Sequence, residues 1–236
     1  MLHRLRYLGL FFGMLLLCGS ECEEGDAPTS LPVLSGKYYV VDLNGAGFVH
    51  DTVTVTFDSA LELRLSSSDG RMADTPLDNL QRTNTGDYLG TVAFDDGVPG
   101  SAADVSIDVE SEELFLLQIS HNGVQAAATG RHTNPWFGAL GGSLYNGDGS
   151  LAGSFSVMLS AGSAVGFLNV APDYYQLTGT FSDLGGGHFY TTEGWPTTGV
   201  AMLGRLWVLG PNSTSLQGAG TWENVEGTAS GTWTTE

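Results

Sequence analysis

The sequence predicts an all-β protein, an antiparallel meander forming a β-barrel or a β-sandwich. Three observations predict it. Apolar and polar residues alternate with period two in run after run from Gly36 onward. Those runs are punctuated by glycine, 34 residues in all, and by Asn-Gly and Asp-Gly pairs of the kind that close tight hairpins. Finally, no stretch of about 11 residues or more carries a helical apolar stripe. The best attempt, Asp74 to Arg82, is short and contains Pro76.

The strands can be taken in order. Val53, Val55 and Phe57 alternate with threonine and aspartate. Leu61, Leu63 and Leu65 alternate with Glu62, Arg64 and Ser66, and the break around Asp58 and Ser59 reads as a hairpin turn. Val105, Ile107 and Val109 form another alternating strand, Glu110 to Glu113 its turn, and Leu114 to Ile119 the return. Phe115, Leu116 and Leu117 make that return apolar on both faces, which suits a central strand.

Composition changes near Thr133-Asn134-Pro135. Residues 21–137 hold 19 acids and 5 bases, whereas residues 138–236 hold 7 acids and 1 base. All five tryptophans lie at or beyond Trp136, and 20 of the glycines fall in the last 99 residues. This division suggests an acidic β domain over 36–133 and a Gly/Trp-rich β domain over 134–236, in tandem. One continuous meander is the alternative.

The second half carries a loose repeat: Gly153-Ser154-Phe155, Gly179-Thr180-Phe181, Gly220-Thr221-Trp222 and Gly231-Thr232-Trp233. In a strand, adjacent residues face opposite sides, so the hydroxyl is expected outside and the aromatic inside. Glycine gives such a strand room to bend. The repeats start 26, 41 and 11 residues apart, which rules out a solenoid of fixed period.

The N-terminus reads as an export signal over 1–20. Arg4 and Arg6 precede an apolar run from Leu8 to Leu17, too short to span a bilayer comfortably. Residues 21–35 are acidic, small and proline-containing, the composition of a disordered tether. Cys18 and Cys22 are the lipidation candidates, although Leu17 and Glu21 are poor residues to precede a lipidated cysteine. A lipid anchor and a plain secreted protein are therefore both open, giving an exported chain that is extracellular or held at a bacterial cell envelope. No cysteine follows Cys22, so no disulfide staples the folded part. The sequon Asn212-Ser213-Thr214 matters only in a eukaryotic host.

Charge narrows the partners. Without residues 1–20 the chain has 6 bases and 26 acids, a net charge of 6 − 26 = −20. Such a surface repels nucleic acid and anionic headgroups. The strands look like about 5 to 8 residues with Ser and Thr on one face, shorter than the roughly 9–11 of a membrane-spanning barrel. No integral membrane span is expected in the mature chain.

Motifs for chemistry are sparse. Gly-x-Ser-x-Gly is absent, and Gly227-Thr228-Ala229-Ser230-Gly231 misses it by one position. Asp108, Glu110 and Glu112 alternate, which resembles the acid-rich strand of jelly-roll glucanases, but the order of acids differs and the cluster sits at a turn. His50, His121, His132 and His188 are scattered, without metal-ligand spacing. Asp42-Leu43-Asn44-Gly45 and Asn146-Gly147-Asp148-Gly149 have calcium-loop residue types but read first as β-turns. No metal and no cofactor is expected.

Short stretches resemble known barrels. Gly36-Lys37-Tyr38 is similar to the opening strand of calycin-like barrels, and Gly220-Thr221-Trp222-Glu223-Asn224 to an avidin-type strand. Neither covers more than a dozen residues, and they assign no family.

The aromatic side chains of the second half are the remaining signal. Flat rings stack on sugars or line apolar cavities. Trp195, Trp136, Tyr190 and Trp207 are the ligand-binding candidates, with Trp222 and Trp233 assigned to the core. The expectation is a non-catalytic exported β protein that binds a small molecule or glycan through its C-terminal domain. A secreted glycosidase-like hydrolase using Asp108 to Glu113, and a structural or adhesive surface component, are the alternatives.

Overall fold

The computed structural model describes residues 31–59, 62–193, 199–210 and 215–235. Its described residues form an all-β protein of two barrel-like sheets without a helix.

The first sheet comprises β1 (Gly36–Gly45), β2 (Phe48–Ser59), β3 (Glu62–Ser67), β4 (Thr75–Pro76), β5 (Asp78–Arg82), β6 (Tyr88–Ala93), β7 (Ala102–Ser111), β8 (Leu114–His121) and β9 (Val124–Arg131). The nine strands run in the order β4-β3-β2-β1-β9-β8-β7-β6-β5, so the sheet curls until β4 and β5 nearly meet. Period-two alternation sets which residues go inside. Val53, Val55 and Phe57 face inward beside Leu63 and Leu65, in the register Val55↔Leu65 and Phe57↔Leu63. The Phe57 ring meets Tyr38 edge-on at 5.6 Å and Tyr88 at 5.4 Å. Burying such a ring stabilises the fold by about 1.5–3 kcal/mol. Leu34 is buried in the same core, so packed chain begins inside the segment read as tether.

Asp42-Leu43-Asn44-Gly45 is not the tight turn its residue types suggest. It is the bulged end of β1, with a register shift between Val40 and Leu43 and Asp42 at φ 57°. The turn follows at Ala46 and Gly47, both with positive φ. A bulge re-aims a side chain, and here the Asp42 carboxylate meets His50 and the Gly210 N–H.

The second sheet comprises β10 (Gly138–Asn146), β11 (Leu151–Ser160), β12 (Ser163–Val170), β13 (Asp173–Phe181), β14 (Gly186–Thr191), β15 (Val200–Leu209), β16 (Ser215–Asn224) and β17 (Ser230–Thr235). Each pairs with the next, and β10 pairs with β17 in the register Leu144↔Trp233, closing an eight-stranded up-and-down barrel. Several strands, β15 and β16 among them, reach 10 residues, longer than the alternation alone implies, because ladders continue through the glycines.

Inside and outside follow the repeat. Phe155, Phe181, Trp222 and Trp233 are buried, whereas Ser154, Thr180, Thr221 and Thr232 are exposed. Trp233 explains part of the glycine content. A Cβ on Gly204, Gly218 or Gly220 would collide with its indole ring, so the interior of β15 and β16 is hollowed to admit one large side chain. The ring also meets Phe155 edge-on at 5.5 Å, and its Nε1 donates to Leu203 O at 3.1 Å.

One end of this barrel is closed. Trp136, just before β10, is 1% exposed, packs against Phe181, and donates from Nε1 to Asp183 O at 2.8 Å. Val41 of β1 joins the same core. Polar contacts reinforce the junction between the barrels: Lys37 with Asp183 at 2.6 Å, and Arg205 with Asp51, Ser68 Oγ and His50 O.

Candidate functional site

Among the described residues, the opposite end of the second barrel is open. In a meander, alternate connections fall at the same end, so the β10–β11, β12–β13 and β16–β17 connections ring this mouth, together with the end of β14 and the start of β15. Below it the interior is filled by Trp233, Phe189, Leu177 and Met202, all nearly inaccessible. The result is a cup rather than a channel, with a volume of about 480 Å³. Ligand cavities of about 300–1,000 Å³ hold small organic molecules.

The cup has an apolar wall and a polar rim. Leu151, Val170 and Val200 line it with Tyr175 and Trp222. Trp222 is anchored by Nε1 donating to Tyr145 O at 2.9 Å. Gly231 permits that placement, since a Cβ there would strike both the Tyr145 carbonyl and the indole nitrogen. Burial, then the nearby Asp173 carboxylate, raises the Tyr175 phenol above its ordinary pKa, so it remains a neutral hydroxyl.

The rim is held by its own turns. Asn146 donates from Nδ2 to Ser150 Oγ at 2.9 Å. The side-chain oxygen of Asn224 accepts from the N–H groups of Thr228 and Ala229, each at 2.9 Å. Both asparagines line the cup, as does the exposed Glu226. Among the described residues that line it there is no serine, cysteine or histidine. These residues offer apolar contact, ring stacking, hydrogen bonding and one carboxylate, that of Glu226.

No protein-family model, curated protein or solved structure matches this chain.

The residues singled out from sequence are dispersed. Trp136 plugs the closed end. Tyr190 lies on the outer face of β14, its ring 5.5 Å from that of His188. Trp207 lies half-buried on the outer face of β15, opposite Gln217. Trp195, Cys18, Cys22 and the Asn212 sequon lie outside the described residues.

The acidic stretch is split between a strand face and a turn. Asp108 faces outward on β7 and accepts from Gln118 Nε2 at 3.0 Å, whereas Glu110, Glu112 and Glu113 are exposed at the β7–β8 hairpin. His121 touches Ala102 O at 3.1 Å and Asp96 at 2.9 Å, and its ring lies 4.5 Å from Phe94. It fastens the loop before β7. The Val98 N–H, then His121 and Ser101, hold the Asp96 carboxyl below its usual pKa. Among the described residues, no three of His, Cys, Asp and Glu are grouped to hold a metal ion. None of their segments is a helix long and apolar enough to cross a membrane.

Of the four ligand-binding candidates read from sequence, two are rings on the outer wall, one is the plug and Trp195 lies outside the described residues; Tyr175, Asn146, Asn224 and Glu226 were not assigned to a ligand site. The available signal was the meander itself: in any such barrel, every second turn faces the same way.

Proposed function

We propose that this chain is an exported, non-catalytic β protein that holds a small molecule or short glycan unit in the mouth of its second barrel. The observation that carries the reading is the cup of about 480 Å³ with Tyr175 and Trp222 on its wall and asparagines fixed at its rim. Rings with adjacent fixed amides suit a ligand with a flat apolar face and polar edges. Export rests on Arg4, Arg6 and the apolar run to Leu17, and Cys18 or Cys22 offers a point of lipid attachment.

The test is an NMR titration of the isotopically labelled mature chain with neutral mono- and disaccharides and small aromatic alcohols. Saturable shifts at the amides of Leu151, Tyr175, Val200 and Glu226 are expected. Saturable shifts confined to the outer faces of β14 and β15, around Tyr190 and Trp207, would move the site and defeat the reading.

A further inference from the structure

The charges of the second barrel are unevenly placed. Six of its acids lie among the described residues: Asp148, Asp173, Asp183, Glu193, Glu223 and Glu226. Asp183 sits at the closed end, where it is paired with Lys37. The other five belong to connections or strand ends at the open mouth. Arg205 is the only base after residue 137, and it is turned away to Asp51 of the first barrel. A ligand entering the cup therefore meets carboxylates and no cationic side chain of its own barrel.

We infer that the ligand of this mouth is a small organic cation, an alkylammonium compound whose apolar groups rest on the cup wall while its charge faces the acidic rim. The inference rests on the reading that the mouth is a binding site, and it adds the class of molecule. Two features favour an organic cation over a metal ion. The carboxylates are spread over separate connections, and among the described residues none are grouped to chelate. The wall beneath them is Leu151, Val170, Val200 and two rings, which a hydrated metal ion cannot use. An alkylammonium ion uses both, because its diffuse charge is attracted to ring faces and to carboxylates that need not contact it directly. Glu226 both lines the cup and carries charge, so it is the nearest counter-ion. Anionic ligands are disfavoured by the same field.

The experiment compares matched probes on the mature chain. Choline and phenethylamine are titrated alongside their neutral carbon isosteres, in which carbon replaces the nitrogen, with calcium chloride as a third arm. Binding is read by NMR shifts at the mouth amides. The ammonium member of a pair should bind about tenfold more tightly than its isostere. Glu226→Gln should weaken the ammonium probe about threefold more than it weakens the isostere. Raising the salt concentration should weaken the ammonium probe alone. Equal binding of probe and isostere at the mouth would overturn the cation inference and leave the mouth as a site. Calcium saturating the same amides more tightly than either ammonium ion would overturn it too. Shifts from every probe that avoid the mouth, or no shift at any concentration, would remove the site and the inference together.

Discussion

Arg205, on the outer face of β15, donates to the carboxylate of Asp51 in β2, joining residues 154 positions apart across the two barrels. The Asp51 side chain is only 3% exposed and also accepts from the Val49 N–H and Ser68 Oγ, both within ordinary hydrogen-bond distance. Removing Arg205 would strand a buried negative charge. Arg205→Leu is expected to cost about 3–5 kcal/mol, the range for breaking a buried pair by deleting one partner. Adding Asp51→Asn should restore part of the loss. Urea unfolding of the two single variants and the double variant measures the coupling, and strictly additive losses would mean the pair does not hold the junction.

Trp233 and the glycines around it make a second prediction. Trp233→Ala should cost about 3–5 kcal/mol as a large core ring is lost. Gly220→Ala should cost at least about 1–3 kcal/mol for the opposite reason, because its methyl group would strike the Leu203 carbonyl and the Gly204 backbone of β15 as well as the indole nitrogen. Thr232→Ala, on the exposed face beside it, should stay within about 0.5 kcal/mol. Denaturant midpoints of the three variants rank them, and a destabilising Thr232→Ala would reverse the inside and outside of β17.

Asp42 predicts a pH dependence. Burial works against its charge, but hydrogen bonds from His50, the Gly210 N–H and Asn44, with the nearby His50 ring, outweigh that and lower its pKa below 3.8. A carboxylate depressed by folding contributes stability that is fully present above its unfolded pKa and is lost as pH falls through the folded one. The stability advantage of the wild type over Asp42→Asn should therefore shrink as pH falls below about 4. Unfolding free energies measured across that window check it, and an advantage that grows on acidification would contradict the assignment.

Export gives a prediction by mass. The mature N-terminus is expected between Cys18 and Glu23, where the apolar run gives way to acids. Intact-mass measurement of the exported chain decides it, and an added diacylglycerol on Cys18 or Cys22 would identify the anchor. A mass that retains residues 1–17 would exclude cleavage there.

Local patterning made much of the fold legible. Val53 to Phe57, Val105 to Val109 and the Gly-Thr-Trp repeats each announce a strand and its inner face through side-chain alternation alone, because the pleat forces it. Pairings between distant segments carry no such local signature. Nothing in the neighbourhood of Tyr39 points to Gly130 and Arg131, where β1 meets β9. Nothing around Arg205 points to Asp51. The cup was hidden for the same reason, since Leu151, Tyr175, Val200 and Glu226 come from four hairpins and become neighbours only once the barrel closes. Trp136 drew notice as one of the aromatic rings of the second half, but its partner, Asp183, lies 47 residues on.

Closure of the second barrel has a kinetic consequence. The seam that completes it joins Gly142 to Thr235, across most of that barrel's length. Every other ladder in the barrel links neighbouring strands and can form while the chain is still emerging. The β10–β17 seam must wait until residues 231–235 have been made and delivered, and it closes the largest loop in the barrel. Until then β10 and the newest strand expose unpaired backbone edges, the feature that invites strand exchange and aggregation. A truncation that removes β17 would make that interval permanent.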